Sequence, residues 1–241
     1  MMRRVRSEHR LIVCVVAFAA VASSSVAAFT IGAAAEVTES AVRGKQIQVT
    51  DSIRPPSGCR RVAVIGDSLS DNSRPWLVSG LSEAGFAAVV DAQPSRRIPS
   101  SVPAPYSGVM AAREVRATFG DADCWVVALG SNDLPYGGLD RASIGGWFDE
   151  MLGAVTPGAH VWWVNVDYHR DPRWAFDFVG ATSLFNAALA DRASDDPYLD
   201  VIDWHALAEA NVHWFFDPVH VDRTGSIARA RQTVDALPRP R

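Results

Sequence analysis

Three short polar motifs contain the residue types that an acyl-transfer site needs. Gly66-Asp-Ser68 ends the apolar run 62–65, Gly130-Ser-Asn-Asp133 follows a second apolar run, and Asp217-Pro-Val-His220 comes near the end of the chain. A serine hydroxyl is a weak nucleophile unless a base, an acid that orients the base and oxyanion donors surround it. Because candidates for all these roles are present, the sequence favours chemistry at Ser68.

The elements that must position these motifs alternate along the chain. Apolar runs bounded by turn residues predict strands at 61–65, 87–90, 125–129, 161–166 and 201–202. Apolar residues at three-and-four spacing predict helices at 75–84, 108–118, 142–155, 184–193 and 223–237, with Asp140 and Asp222 as N-caps of the third and last. This alternation is typical of βαβ units, with a parallel sheet covered by helices on both faces. Motifs that follow strands then meet at the carboxyl edge of the sheet.

Length and charge limit the classes of function. The 241 residues suffice for one sizeable α/β domain, and nothing in the sequence requires a second one. The formal net charge is −4, and the basic residues are scattered apart from a cluster at the N-terminus. Since affinity for phosphates comes largely from clustered Lys and Arg, we expect no nucleic-acid partner.

The N-terminal segment is typical of an export signal. Residues 1–35 combine four arginines, an apolar centre and small residues up to Ala33-Ala-Ala35, which predicts a cleaved signal peptide. The stretch is also long enough for an uncleaved signal anchor, so both alternatives stay open and membrane anchoring through this segment is one of them. Residues 36–58 are polar with a Pro55-Pro56 pair and predict a flexible linker, which leaves 59–241 as the catalytic domain.

Two cysteines remain outside the signal segment. Cys59 lies just before the first predicted strand and Cys124 just before the third. In a doubly wound parallel sheet these two strands are neighbours, which places both thiols at the same end of adjacent strands. We therefore expect a Cys59–Cys124 disulfide in an exported protein, with two buried free thiols as the alternative.

The three motifs together resemble those of the SGNH (GDSL-type) hydrolases, through Gly66-Asp-Ser-Leu-Ser70, Gly130-Ser-Asn-Asp133 and Asp217-Pro-Val-His220. The resemblance spans about residues 60–237, and the motifs occur in the family's order. It implies a single three-layer α/β/α domain with a parallel five-stranded sheet, the flavodoxin-like SGNH hydrolase fold.

The same resemblance assigns roles to the motif residues. It makes Ser68 the nucleophile and His220 the general base that takes the serine proton, with Asp217 orienting the imidazole. The backbone N–H of Ser68 and the side-chain amide of Asn132 become oxyanion donors. Without the resemblance, each motif also has a plainer interpretation: a helix cap at Ser68, an Asx-turn at Asn132, and a metal pair or surface turn at Asp217 and His220.

One expected donor departs from the family's pattern. The family has a glycine after the second strand, and this chain has Ser95 followed by Arg96 and Arg97. A backbone amide survives that change, although a glycine conformation need not. Ser95 is therefore the predicted third donor, with Gly108 as the fallback. Either arginine is equally consistent with an acidic substrate group and with solvated surface.

The chain most resembles the branch of the family that contains peptidoglycan O-acetyltransferase domains and exported polysaccharide esterases, through the segment from Asp91-Ala92 to Arg96-Arg97, Asn186-Ala-Ala-Leu189 and Ile202-Asp-Trp204. We predict an exported serine esterase, secreted or associated with the cell envelope, acting on acylated envelope glycans or small esters through an acyl-enzyme. An O-acyltransferase and an inactive envelope-binding module are the alternatives. We expect a monomer that needs no metal and no cofactor.

Most of the eight tryptophans are expected in the core, and His169, His205 and His213 are expected to lack a catalytic carboxylate partner.

Overall fold

The computed structural model describes residues 58–136, 139–169 and 178–240. The predicted signal segment and nearly all of the predicted linker lie outside these residues. No helix among the described residues is long and apolar enough to span a membrane.

The described chain forms a five-stranded, all-parallel sheet. Its strands are β1 (Arg61–Gly66), β2 (Ala87–Ala92), β3 (Cys124–Ala128), β4 (His160–Val164) and β5 (Leu199–Ile202), in the spatial order β2-β1-β3-β4-β5. Strands β3 and β4 are buried along their whole length. Such near-continuous apolar strands are typical of a parallel sheet covered on both faces, because water reaches neither side.

Helices cover both faces of this sheet. They are α1 (Ser68–Glu83), α2 (Gly108–Phe119), α3 (Arg141–Ala154), α4 (Phe178–Asp195), α5 (Trp204–Glu209) and α6 (Arg223–Ala236), and 3₁₀ turns occupy Leu134–Tyr136 and Val212–Trp214. Side chains of α2, α3 and α4 form one apolar core with Ile65 and Trp163. Side chains of α1, α5 and α6 form the other with Val64 and Trp162. These three layers confirm the predicted fold class.

Aspartates cap several helices, as the sequence indicated for Asp140 and Asp222. The first helix, however, begins at Ser68 and not at residue 75, since the Asp67 side chain accepts the N–H of Leu69 and caps it there. Helix α4 extends back to Phe178, and its residue Thr182 is buried although it is polar. The short α5 was not predicted, because six residues carry too little periodicity to stand out.

A disulfide joins Cys59, just before β1, to Cys124, the first residue of β3, with Cα atoms 5.7 Å apart. This is the pair that the order of the strands predicted. The neighbouring Asp123 carboxylate accepts the backbone N–H groups of Arg60 and Arg61. Together these contacts fix the start of the strand that leads to Ser68.

Candidate active site

Ser68 occupies the turn between β1 and α1. Gly66 ends the strand, and a Cβ atom at this position would lie 2.3 Å from the Ser70 side chain, so only glycine fits. Ser68 is the first residue of α1, and its backbone N–H makes no hydrogen bond within the described residues. A free N–H at a helix N-terminus attracts negative charge. The turn therefore presents a hydroxyl and an unused donor side by side.

His220 and Asp217 complete a hydrogen-bonded relay with this serine. Ser68 Oγ lies 2.9 Å from His220 Nε2, and His220 Nδ1 lies 2.7 Å from Asp217 Oδ2. The other carboxylate oxygen, Oδ1, accepts the backbone N–H groups of Val219 at 2.8 Å and His220 at 2.6 Å. The structure thus brings together the three residues for which the sequence predicted catalysis, in the order nucleophile, base and orienting acid.

Two effects oppose each other at the Asp217 carboxyl. Partial burial acts to raise its pKa, but the backbone hydrogen bonds from His220 and Val219 and the contact with the imidazole outweigh burial, so the pKa lies below its usual value. Asp217 is consequently an anion at neutral pH. An anion beside Nδ1 favours the tautomer that carries its proton there, which leaves Nε2 free to accept the serine proton.

The loop that carries Asp217 and His220 is held by the chain on either side of it. Phe215 and Val221 form an isolated antiparallel bridge, and the Phe216 N–H donates to the His220 carbonyl at 3.1 Å. Directly after the loop, Asp222 caps α6 through the Gly225 N–H. The aspartate and histidine are therefore fixed by a narrow hairpin and by the start of a helix.

The predicted oxyanion donor Asn132 follows β3. Its loop turns at Gly130, which has φ +132°, and a Cβ atom there would lie 2.6 Å from the Phe185 ring. The side-chain Nδ2 of Asn132 donates to the Arg96 carbonyl at 3.2 Å. An amide nitrogen has two N–H groups, so this bond fixes the direction of the side chain and leaves the second N–H for an oxyanion.

Ser95, the predicted third donor, adopts the left-handed conformation with φ +63°. A glycine adopts this conformation at low cost. Ser95 therefore has the backbone conformation that the replacement of glycine by serine put in question. Its backbone N–H makes no hydrogen bond within the described residues. Gly108 is different, because its N–H donates to the Arg97 carbonyl at 2.7 Å and is not available as the fallback donor.

Arg96 and Arg97 hold the loop between β2 and α2 and do not point freely into solvent. Arg96 is buried, pairs with Asp91 at 2.9 Å and donates to the carbonyls of Asp91 and Pro105. Arg97 pairs with the fully buried Asp133 at 3.2 Å. Neither interpretation offered for Arg96, a substrate contact or solvated surface, is correct, since its guanidinium is enclosed by the protein.

Asp133 ties this loop to the loop of Asn132. Its carboxyl accepts the Ile98 N–H at 3.1 Å as well as the Arg97 guanidinium, and burial raises its pKa to about 7. Asp67, next to the nucleophile, is also buried, and desolvation raises its pKa. Its Oδ1 accepts the Leu69 N–H at 3.0 Å, so the Asp67 side chain supports the turn.

The histidine predictions need one correction. His205 has a carboxylate partner, since its Nδ1 lies 2.5 Å from Asp167 Oδ1. No local motif predicts this pair, because Asp167 follows β4 and His205 is the second residue of α5, 38 positions later. The tryptophan prediction is confirmed for five side chains that are buried: Trp125, Trp162, Trp163, Trp204 and Trp214. Trp174 lies outside the described residues.

Solved structures share this fold, although no protein-family model and no curated protein matches the sequence. The C-terminal catalytic domain of peptidoglycan O-acetyltransferase A from Streptococcus pneumoniae superposes with a TM-score of 0.58 at 16% identity, over 74% of this chain and 93% of that one. A member of the lipolytic G-D-S-L family from Veillonella parvula gives 0.58 at 14% identity, over 73% and 97%. An acetylxylan esterase from Geobacillus stearothermophilus gives 0.53 at 14% identity, over 73% and 93%. The chain therefore has the SGNH hydrolase fold.

Proposed function

We propose that this protein is an exported serine esterase that removes O-acyl groups, above all acetyl, from cell-envelope glycans or small esters. The observation that carries the proposal is the relay from Ser68 through His220 to Asp217, with links of 2.9 and 2.7 Å. Side chains arranged in this way perform nucleophilic acyl transfer on unrelated folds, so the geometry itself supports the chemistry.

The mechanism has two halves. His220 Nε2 takes the proton of Ser68 Oγ as the oxygen attacks the ester carbonyl, and the negative oxygen that forms is held by the Ser68 N–H and the Asn132 amide. The imidazolium then protonates the departing alcohol, which leaves an acyl-Ser68 ester. Water, deprotonated by His220, attacks that ester and releases the carboxylic acid and free Ser68.

The choice of substrate is supported by the proteins that share the fold. One is named as a peptidoglycan O-acetyltransferase and another as an acetylxylan esterase, and both names refer to acetyl groups on polysaccharides. If a sugar hydroxyl replaces water in the second half-reaction, the same residues carry out transfer in place of hydrolysis.

Export is supported by the signal-like residues 1–35 and by the Cys59–Cys124 disulfide, because disulfides persist in oxidising compartments.

The test compares the wild-type protein with Ser68→Ala. We expect the wild type to hydrolyse a chromogenic acetyl ester and to be labelled by a serine-directed fluorophosphonate, and Ser68→Ala to do neither. A wild-type protein that shows neither reaction would refute the esterase proposal. Acetyl release and acetyl transfer are then measured together with a glycan acceptor present, and exclusive transfer would replace hydrolysis by the transferase alternative.

A further inference from the structure

A cavity of about 440 Å³ lies beside the loops of the candidate active site, between the first turns of α4 and the segment of α5. Its volume falls within the ordinary range of small-ligand sites. Two of its lining residues touch the catalytic loops directly: the Tyr168 hydroxyl donates to the Ser131 carbonyl at 2.6 Å, and the His169 N–H donates to the Pro218 carbonyl at 2.7 Å. The cavity therefore adjoins the loops of Asn132 and His220.

The interior of this cavity is polar. The buried Asp167 carboxylate accepts from His205 Nδ1, and His205 Nε2 lies 3.7 Å from a carboxylate oxygen of Glu209. Two hydroxyl side chains also line it, and the one on Thr182 is buried without a hydrogen-bond partner among the described residues. Carboxylates, an oriented imidazole and hydroxyls accept and donate hydrogen bonds at short spacing, which is what vicinal hydroxyl groups require.

The cavity also has an apolar side. Val179 of α4 and Val212 line it, and both side chains are exposed to solvent. A sugar ring has this same mixed character, because its hydroxyls lie at the edge and its C–H groups form an apolar face. An ammonium ion would gain nothing from the valines, and the Asp167 oxygen that faces the imidazole is already engaged by His205.

The reaction itself indicates which half of a substrate would reach the cavity. His220 protonates the departing alcohol, so the alcohol half leaves from the side of the loop 217–220. That loop is the one that His169 contacts. We propose that this cavity is a binding subsite for a neutral sugar unit in the alcohol half of the substrate, an inference that rests on the proposed esterase function.

The test fills the cavity without touching the candidate active site. Ser183→Trp places a large ring at an exposed α4 position that lines the cavity, and Ala190→Trp, exposed on the same helix outside the lining, is the matched control. Glu209→Gln, at an exposed position, removes one charge. All three variants should hydrolyse a chromogenic acetyl ester at the wild-type rate. On acetylated tetrasaccharides of xylose or N-acetylglucosamine, Ser183→Trp and Glu209→Gln should lose about tenfold or more in kcat/KM, and Ala190→Trp should not.

Direct binding separates this proposal from the esterase proposal. The Ser68→Ala protein is titrated calorimetrically with unacetylated tetrasaccharides of xylose, N-acetylglucosamine and glucosamine. Binding of a neutral tetrasaccharide that is lost on adding Ser183→Trp supports the subsite, even if the wild type hydrolyses no ester and the esterase proposal fails. Absence of neutral binding, binding insensitive to Ser183→Trp, or binding of the glucosamine tetramer alone would overturn the subsite.

Discussion

Replacing Asp217 by Asn tests the relay, because the two carboxylate oxygens of Asp217 have different hydrogen-bond partners. The carboxylate uses Oδ1 to accept the backbone N–H groups of Val219 and His220, and Oδ2 to accept His220 Nδ1. An asparagine keeps the first set of bonds through its carbonyl oxygen. Its NH₂ group, however, takes the place of Oδ2, and this group can only donate.

The substitution should therefore change the tautomer of the imidazole and leave the loop in place. His220 Nδ1 must accept from the new NH₂, so the ring proton moves to Nε2, which lies 2.9 Å from Ser68 Oγ. A nitrogen that carries a proton cannot take another from serine. The same exchange in a Ser-His-Asp triad lowers kcat by about 10⁴, which corresponds to about 5 kcal/mol of barrier.

The assay is kcat for a chromogenic acetyl ester, measured beside the thermal midpoint of unfolding. We expect the large loss of kcat with little change in the midpoint, because both backbone hydrogen bonds to Asp217 have an equivalent in the variant. Asp222→Asn is the matched control, since asparagine is an equally good N-cap and α6 should be undisturbed. A loss smaller than tenfold for Asp217→Asn would refute the tautomer argument.

Other substitutions test the remaining parts of the site and the fold. Asn132→Ala should lower kcat by about 10²–10³ with KM nearly unchanged, since the second N–H of the lost amide, the one not bound to the Arg96 carbonyl, is the proposed donor to the oxyanion. Ser95→Gly should retain kcat and raise the free energy of unfolding by about 1 kcal/mol, measured in urea, because it relieves the left-handed φ of +63°. Replacing Cys59 and Cys124 together by serine removes a cross-link between residues 65 positions apart. The free energy of unfolding should fall by about 4 kcal/mol, visible as a lower thermal midpoint. For Asp133, whose raised pKa keeps it protonated in the folded state up to about pH 7, stability relative to Asp133→Asn should fall as pH rises from 4 to 7, and parallel urea titrations would show it.

Much of the fold and of the candidate site could be predicted because the signals are local. Each motif follows a strand or precedes a helix, and the parallel order of strands brings Ser68 and Asn132 to one edge. The i,i+3 spacing of Asp217 and His220 similarly specifies a contact within a single turn. The disulfide required only the additional step of placing β1 beside β3.

The missed features depend on contacts between distant segments. Arginine is usually a surface residue. The burial of Arg96 depends on the carbonyls of Asp91 and Pro105, to which its guanidinium donates. The pair of Asp167 and His205 joins the ends of two neighbouring strands, β4 and β5, without a motif at either. The start of α1 was misplaced because Pro75, a good first residue of a helix, lies inside this one and Asp67 caps it. The periodicity of apolar residues does not indicate any of these contacts.

Arg96 explains how the chain tolerates a serine at a position that favours glycine. A left-handed residue with a Cβ costs about 1–2 kcal/mol. The buried guanidinium of Arg96 holds the loop at two points, because it donates to the side chain and carbonyl of Asp91 and to the carbonyl of Pro105. The backbone carbonyl of Arg96 accepts from the Asn132 side chain. Each hydrogen bond to a charged group contributes about 1.5–3 kcal/mol, an amount comparable to the strain at Ser95. The same residue thereby holds the turn of Ser95, one predicted oxyanion donor, and orients the side chain of Asn132, another predicted donor.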